Sequence, residues 1–417
     1  MNDSIEEIKK KSEYCLHCKV KPCQKGCPLQ NNIPDFIEKI KEEDYVGAQE
    51  VLSETTIFEP ICGRICPHKS QCEGSCIRGI KGESVQIGKL EAFLGDKILE
   101  ENIDFNDVPT NNRRIAIIGS GPAGIACSYY LSTRGFGIDI YEKHSNLGGL
   151  LRYGIPEFRL PKKILDEWLQ KCILNKNVKA ITNTELGKDI TLEELKNNYE
   201  AIILAFGANI SNKMNIPGEE LDFVFGGNEL LEYRKMPDFT DKKVAVIGGG
   251  NVAMDSVREI KRLGAKEVTI IYRRSEKEMP AERKEIEAAK EEGVNFLFQT
   301  NILNISYQNN NSQIECIKTE LVERPGESRK SPVNVEGSNY VMDIDYVVMA
   351  VGSHPNTVVV DKLKLETTNW GYIKVDENYK TSDDKIYAVG DLIGTKQTVA
   401  WAARSGFECA KKINLLF

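Results

Sequence analysis

The sequence predicts an α/β protein in which one Rossmann-like dinucleotide-binding domain is inserted into another, with a helical, cysteine-rich domain ahead of both. Three observations predict it. Two glycine-rich turns, Gly119-Ser120-Gly121-Pro122-Ala123-Gly124 and Gly248-Gly249-Gly250-Asn251-Val252-Ala253, each follow a strand-like apolar run and open a helix-like one. Two later strand-like runs, Ala201–Ala205 and Tyr346–Ala350, end alike in Ala205-Phe206-Gly207 and Ala350-Val351-Gly352. Eight of the twelve cysteines precede residue 80, in two dense runs.

Taken in order, residues 1–105 form the first domain, where helical patterns such as Ile33–Ile40, with Asp35 and Glu38 suited to a first turn, separate the cysteine runs. From Arg114 the chain reads strand (RIAIIG), turn, helix, strand (GIDIYE), and a second such unit opens at Lys243 and continues to VTIIYRR. The expected domains are therefore 110–240 with 345–417, interrupted by 241–344. Gln308–Asn311 and Arg324–Asn339 read as surface hairpin loops, the first wholly polar and the second rich in Gly, Pro and Ser.

Composition excludes several classes. The 417 residues are 41% hydrophobic and 28% charged, which suits a globular protein with several cores. A net charge of -7 without a long run of one sign gives neither a nucleic-acid stripe nor a polybasic membrane patch. The N-terminus lacks the apolar region of a signal peptide and no apolar stretch reaches membrane-span length, so a cytoplasmic location is expected. In that reducing setting dense cysteines read as metal or redox sites rather than disulfides.

The first run, Cys15, Cys18, Cys23 and Cys27, is C-x2-C-x4-C-x3-C-P; the second contains C-x3-C-P from Cys62 to Pro67, then Cys72 and Cys76. Bacterial ferredoxins also end in C-x3-C-P, where the last cysteine ligates the other cluster, so two [4Fe-4S] clusters with exchanged ligands fit the spacing. A pair of structural four-cysteine zinc sites is the alternative. The four histidines, His17, His68, His144 and His354, show no ligand spacing.

At the first glycine turn, Gly119, Gly121, Pro122, Ala123 and Gly124 permit a tight turn with backbone amides near a pyrophosphate, and Glu142 can accept hydrogen bonds from an adenosine ribose. Lys143 and Gly207 complete this half. At the second, Gly248, Gly250, Asn251, Val252, Asp255 and Gly352 form the candidate set, and Arg273-Arg274 stand where a carboxylate would. Arginines bind a 2′-phosphate that a carboxylate would repel, so this half should prefer NADPH; an arginine pair on a solvated strand end is the alternative. Near the C-terminus, Gly390-Asp391 ends a strand and Thr398-Val399 opens a helix. Asp391 can hydrogen-bond a ribityl chain, and a helix N-terminus can stabilise charge on a reduced flavin.

Together the motifs CLHCKVKPCQKGCP, ICGRICPHKSQCEGSC, VQIGKLEAF, IAIIGSGPAG, GGLLRYGIPEFRLPK, AVIGGGNVAMDSVR, YRRSEKEMPA and YAVGDLIGTKQTVAWAARSG resemble the glutamate synthase small (β) subunit family. That family includes the N-terminal half of dihydropyrimidine dehydrogenase and the large subunit of NADH-dependent ferredoxin:NADP oxidoreductase. The resemblance spans essentially the whole chain. It implies a flavoprotein with FAD in the first nucleotide domain, NAD(P)H in the inserted one, and an α-helical double [4Fe-4S] domain in front. It further implies one cluster on Cys15, Cys18, Cys23 and Cys76, and another on Cys27, Cys66, Cys72 and Glu91, leaving Cys62 spare. Gly148, Gly149 and Leu150 would lie near the flavin, with the region of Arg152 and Arg159.

No side-chain acid or base is required for NADPH to reduce a flavin, so no catalytic dyad is named. Cys127, Cys172, Cys316 and Cys409 form no C-x-x-C pair, which disfavours disulfide reduction. Cys127 reads as a small apolar helix residue. With no residues left for a second catalytic domain, the acceptor is expected to come from outside the chain. The resemblance points first to the large subunit of glutamate synthase. A partner serving dihydropyrimidine reduction or ferredoxin, a stand-alone NADPH:acceptor reductase using polysulfide for example, and a zinc-bound nucleotide sensor are the other readings.

Overall fold

The computed structural model describes residues 3–100, 108–233, 236–308, 311–326 and 329–417. Three expected features reach beyond these: the end of the first domain at 101–105, and the loop tips 309–310 and 327–328. Among the described residues the first domain has six α-helices: α1 (Ile5–Glu13), α2 (Pro22–Gly26), α3 (Ile33–Lys41), α4 (Tyr45–Ser53), α5 (Glu59–Ile65) and α6 (Ile87–Glu100). Ser4 and Glu7 close a capping box at the start of α1. On α3, Ile33, Phe36, Ile37 and Ile40 share one buried face, the spacing of an amphipathic helix.

The chain continues through β1 (Arg114–Ile118), α7 (Pro122–Ser132), β2 (Gly137–Tyr141), α8 (Leu150–Tyr153), α9 (Lys162–Trp168), β3 (Val178–Ile181), α10 (Leu192–Asn198) and β4 (Ala201–Leu204). Next come β5 (Ile210–Ser211), β6 (Val224–Gly226), α11 (Gly227–Tyr233), β7 (Lys243–Ile247), α12 (Asn251–Arg262), β8 (Glu267–Tyr272), α13 (Arg283–Glu291) and β9 (Asn295–Phe298). An antiparallel group follows in β10 (Thr300–Gln308), β11 (Asn311–Val322), β12 (Ser331–Asn334) and β13 (Tyr340–Asp343), then β14 (Tyr346–Met349) and β15 (Ser353–His354). Finally α14 (Thr357–Leu363), β16 (Ile386–Ala388) and α15 (Val399–Leu416) close the chain.

Two compact units result. The first comprises residues 1–152, 157–208 and 355–417, the second 153–156 and 209–354. In the first, a parallel sheet runs β16-β4-β1-β2-β3. Its central strand β1 is buried at every position from Ile115 to Ile118, as a parallel sheet covered on both faces requires. The cysteine-rich helices belong to this same unit: Trp168 Nε1 on α9 donates to Ile57 O at 2.8 Å, and Arg404 Nη1 on α15 donates to Pro28 O at 3.0 Å.

In the second unit a parallel sheet runs β6-β14-β7-β8-β9, with the antiparallel group attached. Here the structure departs from the expected boundaries of 241 and 344. Strand β14 pairs with β7 (Val348↔Val246) and with β6 (Val348↔Phe225), so strands on both sides of 241–344 belong to the second sheet. The reason is pairing: an isolated βαβ opening leaves the inner edge of β7 without a partner, and only strands distant in sequence fill it. No helix among the described residues is long and apolar enough to cross a membrane.

Candidate functional site

The cysteines gather around two centres, and the grouping cuts across the two runs. Cys15, Cys18, Cys23 and Cys76 line one pocket, walled by Pro22, Ile33, Ile37, Val85 and Ile87. Cys23 lies within α2, while Cys76 precedes a short 3-10 turn, so the fourth sulfur arrives from the other run. Burial pushes the Cys23 thiol up to about 11, with the Cys15 and Cys76 charges adding to it.

Cys27, Cys66, Cys72 and Glu91 form the second group. Burial raises the Cys72 thiol well above its ordinary value, with Glu91, Cys27 and Cys66 next in order. Burial and Glu91 likewise push Cys27 up to about 12. Glu91 itself is only 6% exposed, and burial followed by the Cys66 charge raises its carboxyl strongly. Among the described residues it accepts a long hydrogen bond from Asn31 Nδ2 at 3.4 Å. Buried acids packed this densely ionise only beside a cationic centre, which is the chemistry an iron cluster supplies. The donor sets therefore fit the implied clusters. Cys62 is also at hand: its thiol is hydrogen-bonded to Cys66, and that bond, then burial, raises it. Among the described residues no three His, Cys, Asp or Glu groups are drawn together so as to hold a single metal ion.

Small residues bring Glu91 here. A Cβ on Gly63 of α5 would lie 2.3 Å from Ala92 N of α6, and one on Gly95 would lie 2.4 Å from Pro60 N, so the two helices meet backbone to backbone. Gly88, Glu91, Ala92 and Gly95 follow the i, i+3, i+4, i+7 spacing of a single helix face, and that face carries Glu91 towards Cys66.

In the first nucleotide domain three loops converge. Gly119, at φ +100°, opens the turn, and a Cβ on Gly149 would lie 2.7 Å from Gly121 Cα. Glu142 holds these loops together: it accepts from Ser120 N at 3.1 Å, Ser120 Oγ at 2.5 Å and His144 N at 3.0 Å, while Ser120 Oγ accepts from Gly148 N at 3.0 Å. A carboxylate has about four acceptor positions, so one remains for a ribose hydroxyl. Sequence reasoning missed Ser120, the residue Glu142 acts through. No atom lies within 4 Å of where a Cβ would stand on Gly121 or Gly207, leaving the backbone open to a ligand. Leu150 is partly exposed at the start of α8, Lys143 is exposed, and Arg152 donates from Nε to Leu147 O at 2.6 Å and pairs with Asp166.

From the C-terminal side, Gly390 N donates to Ser405 Oγ at 2.8 Å, and a Cβ there would lie 3.0 Å from Ala123 Cβ. Thr398 caps α15 by accepting from Trp401 N at 3.3 Å, beside buried Val399. Among the described residues Asp391 Oδ1 is buried with no hydrogen-bond partner, and burial pushes the carboxyl up to about 7. A buried, unsatisfied acceptor next to Gly390 fits a polyhydroxyl chain such as the ribityl of FAD.

In the second unit Gly248 stands at φ +140°, where a Cβ would lie 2.2 Å from Ala350 O, and Gly250 has no atom within 4 Å of its Cβ position. Asn251 Oδ1 accepts from Glu282 N at 2.9 Å, Val252 lies against Gly227, and Asp255 is buried on α12. Gly352 ends the neighbouring strand at φ +107°, beside Asn212. Arg273 and Arg274 follow β8 directly; burial and the Arg274 charge hold the Arg273 guanidinium below its ordinary value. Elsewhere His17 binds Asp35 and His354 binds Asn212, each at 2.8 Å. The structure does bring two scattered cysteines together: Cys409 on α15 is hydrogen-bonded to Cys127 on α7, both fully buried.

Residues 113–406 match the family described as pyridine nucleotide-disulphide oxidoreductase, and residues 2–103 match the 4Fe-4S cluster domain II of dihydropyrimidine dehydrogenase. The small chain of NADPH glutamate synthase from Escherichia coli K12 is 33% identical, over 98% of this chain and 91% of its own length. The chain belongs to the glutamate synthase small-chain family of pyridine nucleotide-disulphide oxidoreductases. It is an NAD(P)H-dependent flavoprotein iron-sulfur oxidoreductase whose cofactors are FAD, NADPH and two [4Fe-4S] clusters. The β subunit of NADPH-Fe(3+) oxidoreductase from Geobacter sulfurreducens is 37% identical over 84% of this chain, which spans only 54% of that relative. Among solved structures, FprA of Mycobacterium tuberculosis in complex with NADPH superposes with a TM-score of 0.63 at 19% identity, over 74% of this chain and 85% of that one, a likeness of fold.

Proposed function

We propose that the protein draws electrons from NADPH and delivers them, through FAD and two clusters, to the large subunit of a glutamate synthase in the cytoplasm. The observation that carries this reading is the pocket in which Cys76 joins Cys15, Cys18 and Cys23. One cluster is held by these four sulfurs, the other by Cys27, Cys66, Cys72 and Glu91, with Cys62 as a hydrogen-bond donor to its neighbour. When bound, FAD supplies the exchange between a two-electron donor and one-electron centres.

The residues hold and orient. Gly119, Gly121, Pro122, Ala123 and Gly124 present backbone to the FAD pyrophosphate, and Glu142 takes the adenosine ribose through its remaining lone pair. Lys143, Gly149, Leu150, Arg152 and Gly207 border the same ligand; Gly390, Asp391, Thr398 and Val399 take its ribityl and ring end. Gly248, Gly250, Asn251, Val252, Asp255 and Gly352 cradle NADPH, and Arg273 with Arg274 read its 2′-phosphate. The first cysteine group is the exit. Three of its four cysteines, Cys15, Cys18 and Cys76, are half-buried with only Cys23 buried, whereas in the second group Cys66 and Cys72 are buried and only Cys27 is half-buried; exposed Leu16 and Ile77 line the first group's pocket. The match to almost the full length of a glutamate synthase small chain supports that partner.

The test is reconstitution. Anaerobically purified chain mixed with a glutamate synthase large subunit should form a complex and support NADPH-driven glutamate formation from glutamine and 2-oxoglutarate. A large subunit that neither binds nor gains activity, beside a chain that reduces ferredoxin or polysulfide with NADPH, rejects this partner.

A further inference from the structure

The proposed NADPH reading leaves the β11–β12 hairpin without a role, although it is tied firmly to the end of β8. Thr319 Oγ1 of β11 donates to Arg273 O at 2.8 Å, Gln299 N donates to Arg274 O at 3.0 Å, and Thr319 N donates to Gln299 O at 2.7 Å. From the other arm, Arg274 Nε donates to Lys330 O at 2.8 Å, and Arg329 Nη1 donates to Glu278 O at 3.4 Å. These bonds carry Arg329 to the strand end that holds Arg273 and Arg274, and its charge is one of those acting on Arg273.

The three guanidiniums share a second property. Among the described residues, Arg258, Arg262, Arg283 and Arg404 are each paired with a carboxylate, but no ion pair is formed by Arg273, Arg274 or Arg329. The acids nearby are engaged elsewhere: Glu276 with Lys290 and Arg283, Glu278 with Ser275, and Glu323 with Lys330. Three like charges gathered without a counter-ion repel one another, and a bound dianion reverses that cost. The end of the second strand after a glycine turn is where the ribose 2′ position of a dinucleotide is read.

We infer that Arg329 is a third specificity-determining arginine, reaching from the β11–β12 hairpin to the 2′-phosphate of NADPH beside Arg273 and Arg274. The inference rests on the 2′-phosphate reading of that pair. NADPH selectivity is then set partly by a residue far along the chain from the glycine fingerprint.

The test compares Arg329→Ala, Arg329→Lys and the double variant Arg273→Ala/Arg274→Ala in the intact holoenzyme. Arg329→Ala should lower the NADPH-to-NADH ratio of kcat/KM about tenfold, the scale of one charge-assisted hydrogen bond. It should weaken binding of 2′,5′-ADP by a similar factor and that of 5′-ADP by less than about twofold, with Arg329→Lys recovering part of the loss. An unchanged ratio in Arg329→Ala beside a collapsed ratio in the double variant overturns the role of Arg329 alone. An unchanged ratio in both overturns the 2′-phosphate reading together with it.

Discussion

Gly63→Ala is the sharpest test of how this chain builds its second metal centre. The added Cβ would stand 2.3 Å from Ala92 N, 2.6 Å from Ala92 Cα and 2.7 Å from Ala92 Cβ. These are atoms of a helix backbone rather than the end of a flexible side chain, so they cannot swing aside. To reach ordinary contact at 3.4 Å the α5–α6 crossing must open by about 1 Å. Cys66 caps the end of α5 and Glu91 lies beside Ala92 on α6, so that opening separates two of the four proposed ligands. Overpacking of this kind costs about 1–3 kcal/mol, enough to lower Tm by roughly 2–10 °C. Cys15, Cys18, Cys23 and Cys76 lie off this crossing, so anaerobic preparations should lose about half their iron and acid-labile sulfide while one cluster signal persists by EPR. Gly79→Ala is the control, because its Cβ would come no closer than 3.7 Å to a neighbour. Full iron content and an unaltered pair of EPR signals in Gly63→Ala would refute the claim that backbone contact at Gly63 positions Glu91.

Three further outcomes are expected. Glu91→Ala should perturb one cluster and lower iron content by up to about half, whereas Cys62→Ser should leave both metal content and EPR intact, and the reverse pattern rejects the ligand assignment. Asp391→Ala removes the orphaned buried acceptor and should weaken FAD retention about tenfold to a hundredfold, read by flavin fluorescence after dilution; undiminished retention sinks its ribityl role. Glu59, buried at the start of α5 with Oε1 unpartnered, is pushed up to about 8 by burial. Its raised folded value means the associated stability is full below the ordinary carboxylate range and is lost as pH rises through about 8. Glu59→Gln should therefore flatten the fall in Tm between pH 5 and pH 9, removing a penalty of about 5 kcal/mol at the alkaline end. A Tm profile as steep as that of the unaltered protein contradicts it.

Much of the site was legible because its signals are local. A glycine that must adopt φ +100° or +140° is a constraint on one position, and Gly119 and Gly248 announce it in the sequence. The absence of a carboxylate before Arg273 is equally local. Glu91 shows the middle case. Read alone it is a solvated helix residue; its small-residue neighbours Gly88, Ala92 and Gly95 on the same face signal close helix contact, and the structure buries it against Cys66. What stayed hidden depends on pairing between distant strands and helices. The boundary at 241 failed because β6 and β14 join β7 only through the sheet, and Cys127 meets Cys409 only because α7 packs on α15.

By itself the sequence determined the residue types: eight early cysteines able to bind metal, two turns able to approach a pyrophosphate, and an arginine pair suited to a phosphate. Tertiary structure decided how they are shared out. Cys76 faces the pocket of the first run, Glu91 joins the sulfurs of the second, and Arg329 reaches the end of β8. The physical reason is range. Backbone conformation and spacing act over a few neighbouring residues, whereas which side chains share a centre is set by the close packing of elements that the chain brings together from far apart.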